Sequence, residues 1–286
     1  MPFKPPENQP VALSGFTVLQ VHGPDAAAFL HAQTMNDVRA LAPGRWQWNG
    51  WLTPKGRVVA LFALLRAAED RFLVVLPDVP AVELRDALRR FVFRSKVMLD
   101  ADAGWQVAGG PATDGCAGAT AVQAGGGWAL DAGGDGGRRT LWLLPAEAHV
   151  APATPETDAA WRAGDLAHGL PRLGPAQREA WTPQMLSLER LAAFSLKKGC
   201  YPGQEIVART HYLGQARRGL VRLGGEGLAE GDAVGDGERE VGRLVCTTAD
   251  GGEALAVVAT DAAGTLRVAG RPAARLPLLD GLQRVT

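Results

Sequence analysis

From about residue 217 onward the chain carries no helical periodicity. RRGLVRL (217–223), EVGRLVCTT (240–248), ALAVVAT (254–260) and LRVAGRPAARLPL (266–278) are short apolar stretches divided by Gly/Asp turns. Strands of that length have to close on one another to protect their edges, so this part of the chain predicts a small antiparallel β-barrel. The change of texture places a boundary near Gly214 and divides the chain into residues 1–213 and 214–286.

Upstream, strand and helix signals alternate. FTVLQVHG (16–23) reads as a strand, and Pro24 opens a helix that turns Phe29 and Leu30 toward a core. A hairpin follows over 48–67 with TPKG (53–56) at its turn, then a strand at 71–77. PAVELRDALRRFVF (80–93) predicts an amphipathic helix with Val82, Leu84, Leu88 and Phe91 facing inward, and KVMLD (96–100) predicts another strand. That order suits an α+β layer with helices on one face of a sheet, and a second subdivision at about residue 100.

Residues 101–158 are rich in Gly and Ala, with strands at 105–110 and 140–145 and a turn at GGDGG (133–137). A helix is predicted over 161–173, broken at Gly169 and Pro171. TPQMLSLERLAAFSLKKG (182–199) predicts another: Thr182 as cap, Pro183 in the first turn, Met185, Leu188 and Ala192 on one face, Lys197 and Lys198 in the last turn, and Gly199 as the stop.

Thirty Lys and Arg balance thirty Asp and Glu, so formal net charge is zero. A protein living on nucleic-acid phosphates would show a basic excess, so nucleic acid is not expected as a direct ligand. The pairs Arg89-Arg90, Arg138-Arg139, Lys197-Lys198 and Arg217-Arg218 read as solvated faces. No apolar run is long enough to span a membrane, and MPFKPPENQP lacks the apolar segment of a signal peptide. Cys116, Cys200 and Cys246 are distant and odd in number, which points to a reducing, cytoplasmic setting. No spacing of Cys or His predicts a metal site.

One cysteine lies in Lys198-Gly199-Cys200-Tyr201-Pro202-Gly203-Gln204-Glu205-Ile206-Val207-Ala208-Arg209. This stretch resembles the K-G-C-[YF]-x-G-Q-E-x-x-x-R signature of the YgfZ family, folate-binding proteins related to the T-protein (aminomethyltransferase) of the glycine cleavage system. Gly23-Pro24-Asp25, Gln33-Thr34, Asn36-Asp37-Val38, Pro54-Lys55-Gly56-Arg57, the block at 91–97 and Thr182-Pro183-Gln184-Met185 also resemble family blocks. The resemblance implies a T-protein-like fold with a central folate pocket and a C-terminal barrel. It further implies a monomer that binds tetrahydrofolate and supports iron–sulfur clusters through client enzymes or assembly proteins, including clients that modify tRNA.

The residues the resemblance singles out are Cys200 as a functional thiol, and Trp161, Arg209, Glu205, Phe16, Lys198, Tyr201 and Gln204 as cofactor-binding. Physically, a cysteine just past a helix C-terminus is disfavoured as a thiolate, while neighbouring lysines favour one. Glycines on either side would present the thiol; Cys116 and Cys246 read as packing. A helix is predicted from Gln204 to about Tyr212, which sets Glu205 and Arg209 four apart in the orientation that favours an ion pair. An arginine fork suits the carboxylate of a folate tail. By the resemblance Trp161, and Phe16 at the N-terminal aromatic position, stand where flat apolar walls for the folate rings are expected, with ordinary core packing as the other reading and the preferred one for Phe16.

Two departures stand against T-protein chemistry. The pterin-gripping glutamate of the T-protein L-E-A-G block is absent from Leu166-Ala167-His168-Gly169, and Leu76-Pro77-Asp78-Val79-Pro80 offers no match to the block that leads to the catalytic aspartate. A one-carbon transferase is therefore the second reading. A tRNA-binding module using Lys197-Lys198 and Arg217-Arg218 is the third.

Overall fold

The computed structural model describes residues 9–101, 104–212, 214, 216–237 and 239–285. Most of the Pro-rich lead lies outside the described residues. Three antiparallel sheets carry the architecture, with helices against the first, so the α+β expectation holds.

The first sheet has the order β3-β4-β5-β2-β6: β2 (Thr17–His22), β3 (Arg45–Leu52), β4 (Val58–Ala68), β5 (Arg71–Leu76) and β6 (Met98–Asp100). Its second strand β4 is apolar on both faces because both faces are covered. Ala60, Phe62 and Leu64 join the core beneath α1 (Ala26–Gln33) and α2 (Ala81–Arg89). Leu61, Ala63 and Leu65 point to the other side, into the core shared with the rest of the molecule. The period-two alternation of side chains makes one continuous apolar run serve two cores. The helix predicted over 80–93 ends at Arg89. Leu84 and Leu88 are buried as expected, but Val82 and Phe91, predicted inward, are 44% and 45% exposed. Val82 falls off the face that packs on the sheet, and Phe91 lies past the helix end.

The second sheet has the order β1-β7-β10-β9-β8, built from β1 (Val11–Ala12), β7 (Trp105–Gly110), β8 (Ala121–Ala124), β9 (Gly127–Asp131) and β10 (Thr140–Pro145). Helix α3 (Pro155–Ala167) follows it. It starts six residues before the predicted Trp161, where Thr154 and Thr157 form a reciprocal capping box ahead of the apolar spacing. It stops as predicted at Gly169, whose φ of 71° lies in the left-handed region.

The third sheet runs β16-β15-β12-β13-β14-β11-β17, from β11 (Arg218–Gly224) through β12 (Ala233–Gly235), β13 (Glu240–Thr247), β14 (Glu253–Ala259), β15 (Arg267–Val268) and β16 (Arg271–Pro272) to β17 (Ala274–Leu276). It curls, barrel-like, around a core of its own that includes Leu223, Leu244, Ala256 and Val258. Leu255 and Val257 on the opposite face of β14 enter the shared core, which ties this sheet to the first two.

The helix predicted over 182–199 does not form. Only Leu188–Leu191 is helical, as a single 3₁₀ turn, bounded by Ser187 at φ 48° and Ala192 at φ 52°. Both bounding residues are held by distant partners: Ser187 Oγ accepts the Leu220 amide at 3.0 Å, and the Ala192 carbonyl accepts Asn36 Nδ2 at 2.7 Å. Leu186, Leu188 and Leu191 are buried all the same. The apolar spacing is therefore real, but tertiary hydrogen bonds set the backbone.

Candidate functional site

Two places gather the residues singled out by the sequence. The first is a cavity of about 210 Å³ between the start of β2 and α3, where Phe16 and Trp161 face the same space with Arg162 and Arg172. Trp161 is 3% exposed and carries the Arg139 guanidinium 4.3 Å above its ring, while Arg172 lies 5.0 Å from the Phe16 ring. Each aromatic wall is thus backed by a cation.

Those arginines belong to a buried charge network. Arg139 Nη2 donates to Asp165 Oδ1 at 2.5 Å; Arg172 Nη1 reaches Asp165 Oδ2 at 3.4 Å and its Nε donates to Asp78 Oδ1 at 2.7 Å. Asp78 Oδ2 also accepts the Leu173 amide at 2.9 Å. Burial works against the Arg172 charge, but Asp78 and Asp165 outweigh it and hold its pKa above the ordinary value. The network fixes the end of β5, α3 and the chain after α3 against one another. At its edge Arg162 keeps a buried Nε with no partner among the described residues. Arg139 was read as part of a solvated pair and is instead 4% exposed. Asp165, Arg172 and Arg139 were all missed as site residues. The available signal was an Asp and an Arg straddling a helix stop in an apolar stretch, where each must be buried and so needs the other. His168, in the stretch that departs from L-E-A-G, is committed to structure: Nδ1 pairs with the Gly164 carbonyl at 2.7 Å, Nε2 accepts the Gly136 amide at 3.1 Å, and burial lowers its pKa.

The second place is the signature loop. Lys198 is 6% exposed, and its Nζ donates to the carbonyls of His31, Thr34 and Asn36. The lysine therefore neutralises a helix C-terminus, that of α1 rather than the helix predicted to carry it. Burial pushes its pKa down to about 8. The Tyr201 ring lies 4.8 Å from Nζ and is itself buried, which pushes its phenol up to about 12. Gln204 opens helix α4 (Gln204–Tyr212), as predicted, and its Nε2 returns to the Lys198 carbonyl at 3.1 Å. Gly203, at φ 81°, sits against the TPKG turn so closely that a Cβ there would lie 2.6 Å from the Thr53 carbonyl.

Cys200 is exposed between these anchors, whereas Cys116 and Cys246 are buried. No helix ends at Gly199, and the Lys198 ammonium is engaged by the carbonyls of His31, Thr34 and Asn36. Glu205 and Arg209 are both exposed on α4 and form no ion pair with each other among the described residues. The structure thus brings Phe16 to Trp161, and Lys198, Tyr201 and Gln204 to one another. Cys200, Glu205 and Arg209 lie at the surface beside the second group. No group of three or more His, Cys, Asp or Glu among the described residues could hold a metal ion. No helix among them is long and apolar enough to cross a membrane.

Residues 11–110 match the GCVT N-terminal domain family. The chain superimposes on the crystal structure of aminomethyltransferase T of the glycine cleavage system from Bartonella henselae with a TM-score of 0.74, over 96% of this chain and 86% of that one. Sequence identity there is 17%, so the likeness is one of fold, and the T-protein-like architecture expected from the sequence is present. An uncharacterized protein of Haemophilus influenzae is 31% identical over 215 residues, 74% of this chain and 72% of its own length. The tRNA-modifying protein YgfZ of Edwardsiella ictaluri is 28% identical over 285 residues, covering 87% of this chain and 84% of the relative. That of Vibrio vulnificus is 27% identical over 230 residues. With the signature loop intact and relatives that match along most of its length, the chain belongs to the YgfZ family.

Proposed function

We propose that this protein is a cytoplasmic, folate-binding auxiliary factor that supports iron–sulfur clusters in client enzymes, tRNA-modifying enzymes among them. The observation that carries the folate reading is the cavity bordered by both Phe16 and Trp161, with Arg162, Arg172, Ser14 and Asp158 as its polar lining. At about 210 Å³ it is smaller than the ~300–1,000 Å³ of a site for a whole drug-sized ligand, so it suits the ring end of a folate. The unpartnered Arg162 Nε supplies a donor for that ring or for the tail. Bound tetrahydrofolate would bring one-carbon chemistry. The chain's own contribution is to stack the ring, fix its edge with arginine and exclude water behind Trp161.

Transferase activity has weaker support. Asp78, the acid at the end of β5, is tied to Arg172 and the Leu173 amide rather than free to move a proton. The tRNA-related part of the reading rests on what the relatives are called. The iron–sulfur part rests on the exposed Cys200 thiol and the family resemblance. One thiolate supplies a single cluster ligand where four are usual, so a cluster handled here is shared with its client.

Titration of tryptophan fluorescence with tetrahydrofolate tests the reading. The expected Kd is in the low-to-mid micromolar range, about −7 to −8 kcal/mol. Trp161→Phe, which keeps an aromatic core residue, should weaken binding several-fold. Arg209→Ala weakens it only if the folate tail reaches α4; unchanged affinity removes Arg209 and Glu205 from the site. No saturable signal in the wild-type protein sinks the folate reading.

A further inference from the structure

The zero net charge that argues against nucleic acid is an average, and one surface departs from it. LRRFVFRSKVM (88–98) leaves the end of α2 as an exposed segment in which basic and aromatic residues alternate. Phe93 is 87% exposed and Phe91 45%. The Arg94 guanidinium lies 5.4 Å from the Phe93 ring, and the Phe91 ring meets the edge of Trp51 at 6.3 Å. Arg90 Nε donates to the Ala87 carbonyl at 3.3 Å, and neither Arg90, Arg94 nor Lys96 pairs with a carboxylate among the described residues. Solvent normally claims charge of this kind. It does not normally claim a phenylalanine exposed nearly in full, in a segment that also carries Arg90, Arg94 and Lys96.

A cavity of about 550 Å³ opens beside this segment, with Trp51, Leu84, Phe91 and Pro202 as apolar walls. Arg90, Glu179 and the ion pair of Arg178 with Glu83 (2.8 Å) line its edge, so the cations free of a carboxylate among the described residues lie on the exposed segment rather than in the cavity. Its volume falls within the ~300–1,000 Å³ of small-molecule sites, enough for a base. An occupant that suits both features combines planar apolar faces, for the cavity and Phe93, with negative charge opposite Arg90, Arg94 and Lys96. An acidic peptide would satisfy the arginines and leave Phe93 uncovered. Duplex nucleic acid would satisfy the arginines but keeps its bases stacked inside. A single strand offers both a ring for each aromatic and a phosphate for each cation.

We propose that residues 89–98 and the adjoining cavity bind single-stranded nucleic acid, such as an RNA loop. Phe93 and Phe91 stack bases, and Arg90, Arg94 and Lys96 hold the phosphates. The site uses none of the residues assigned to folate, so either assignment can fail without the other.

Fluorescence anisotropy with short labelled oligouridylate and oligothymidylate tests it, with a blunt duplex and a polyglutamate peptide as competitors. Three phosphate contacts predict a log–log salt slope of about −2 for a single strand. Phe93→Ala should weaken binding about 5- to 100-fold, the loss of one stacked base. The triple variant Arg90→Ala, Arg94→Ala, Lys96→Ala should abolish most of the salt dependence. Both variants change exposed side chains and should leave the tetrahydrofolate titration unaltered. Binding of either oligomer with these dependences supports the site, and a preference between them tells whether the ribose 2′-hydroxyl is read. Absence of binding at low salt, equal affinity in the variants, or stronger competition by duplex or polyglutamate overturns it. So does Phe93-dependent self-association without oligomer binding, which would assign the patch to a second copy of the chain.

Discussion

Replacing Lys198 with methionine keeps the length of the side chain and removes its charge. The ammonium gives hydrogen bonds to three carbonyls at the end of α1 and the turn after it. Bonds to a charged group are worth about 1.5–3 kcal/mol each. Against that stands the burial that lowers Lys198 from 10.5 to about 8, a cost of about 3 kcal/mol that methionine does not incur. The balance is a loss of about 1.5–6 kcal/mol, which brackets the range for stripping one partner from a buried charged site. Urea unfolding should show it as a lower midpoint with an unchanged slope. The pH dependence gives an independent check. With a folded pKa of about 8 and an unfolded value near 10.5, the unfolded chain holds the extra proton between those limits. The wild-type protein should therefore gain stability relative to the variant as pH rises from about 8 to about 10.5. A midpoint shift worth less than ~1 kcal/mol would refute the carbonyl anchor. A gap that stays flat across that pH window would mean the three carbonyls hold the proton against burial.

Iodoacetamide should label Cys200 in the native protein well before Cys116 and Cys246, because burial pushes those two thiols up to about 12 and about 11; mass spectrometry of the timed digest reads the order, and equal rates would contradict it. Asp165→Ala should cost about 3–5 kcal/mol, since it leaves Arg139 and Arg172 without the carboxylate they share, and the loss is read by thermal or urea unfolding. Gly203→Ala combines a φ of 81° with a Cβ 2.6 Å from the Thr53 carbonyl, so it should destabilise by more than about 1 kcal/mol and raise proteolytic cutting in the 53–56 turn; a neutral outcome would mean the loop and turn are not in register.

How much of this was legible in the sequence depends on where each signal is stored. The strands of the first sheet and the long strands of the third were, because period-two alternation and Gly/Asp turns are local and the sheets obey them; the short ones were not, since Ala233–Gly235 went unread and the stretch 266–278 divides into three strands. VVALFALLRA predicts an apolar strand whether its faces meet helices or another sheet. The helix at 182–199 was misread because its apolar spacing fits two backbones equally well. What chooses between them is the Asn36 amide and the Leu220 N–H, residues far away in the chain. The same holds for Lys198. As one of a Lys-Lys pair before a glycine it looks like a solvated cation at a helix end, and only the fold shows that the helix it caps is α1. The charge network among Arg139, Asp165, Arg172 and Asp78 joins four separate segments and has no short-range pattern.

The signature loop shows why family recognition succeeded where local physics did not. Each of its residues answers to a different neighbour: Lys198 to the end of α1, Tyr201 to the shared core, Gly203 to the turn between β3 and β4, Gln204 back to Lys198. These contacts reach separate parts of the fold, so no periodicity runs through the loop. Gly199 and Cys200 are the exceptions. A Cβ at Gly199 would meet nothing within 4 Å, and Cys200 stands exposed next to it. Four anchors around one unanchored thiol do not make a packing motif, because a packing cysteine would be the residue turned inward. With its neighbours anchored, Cys200 is the one cysteine of the three whose sulfur is exposed to solvent.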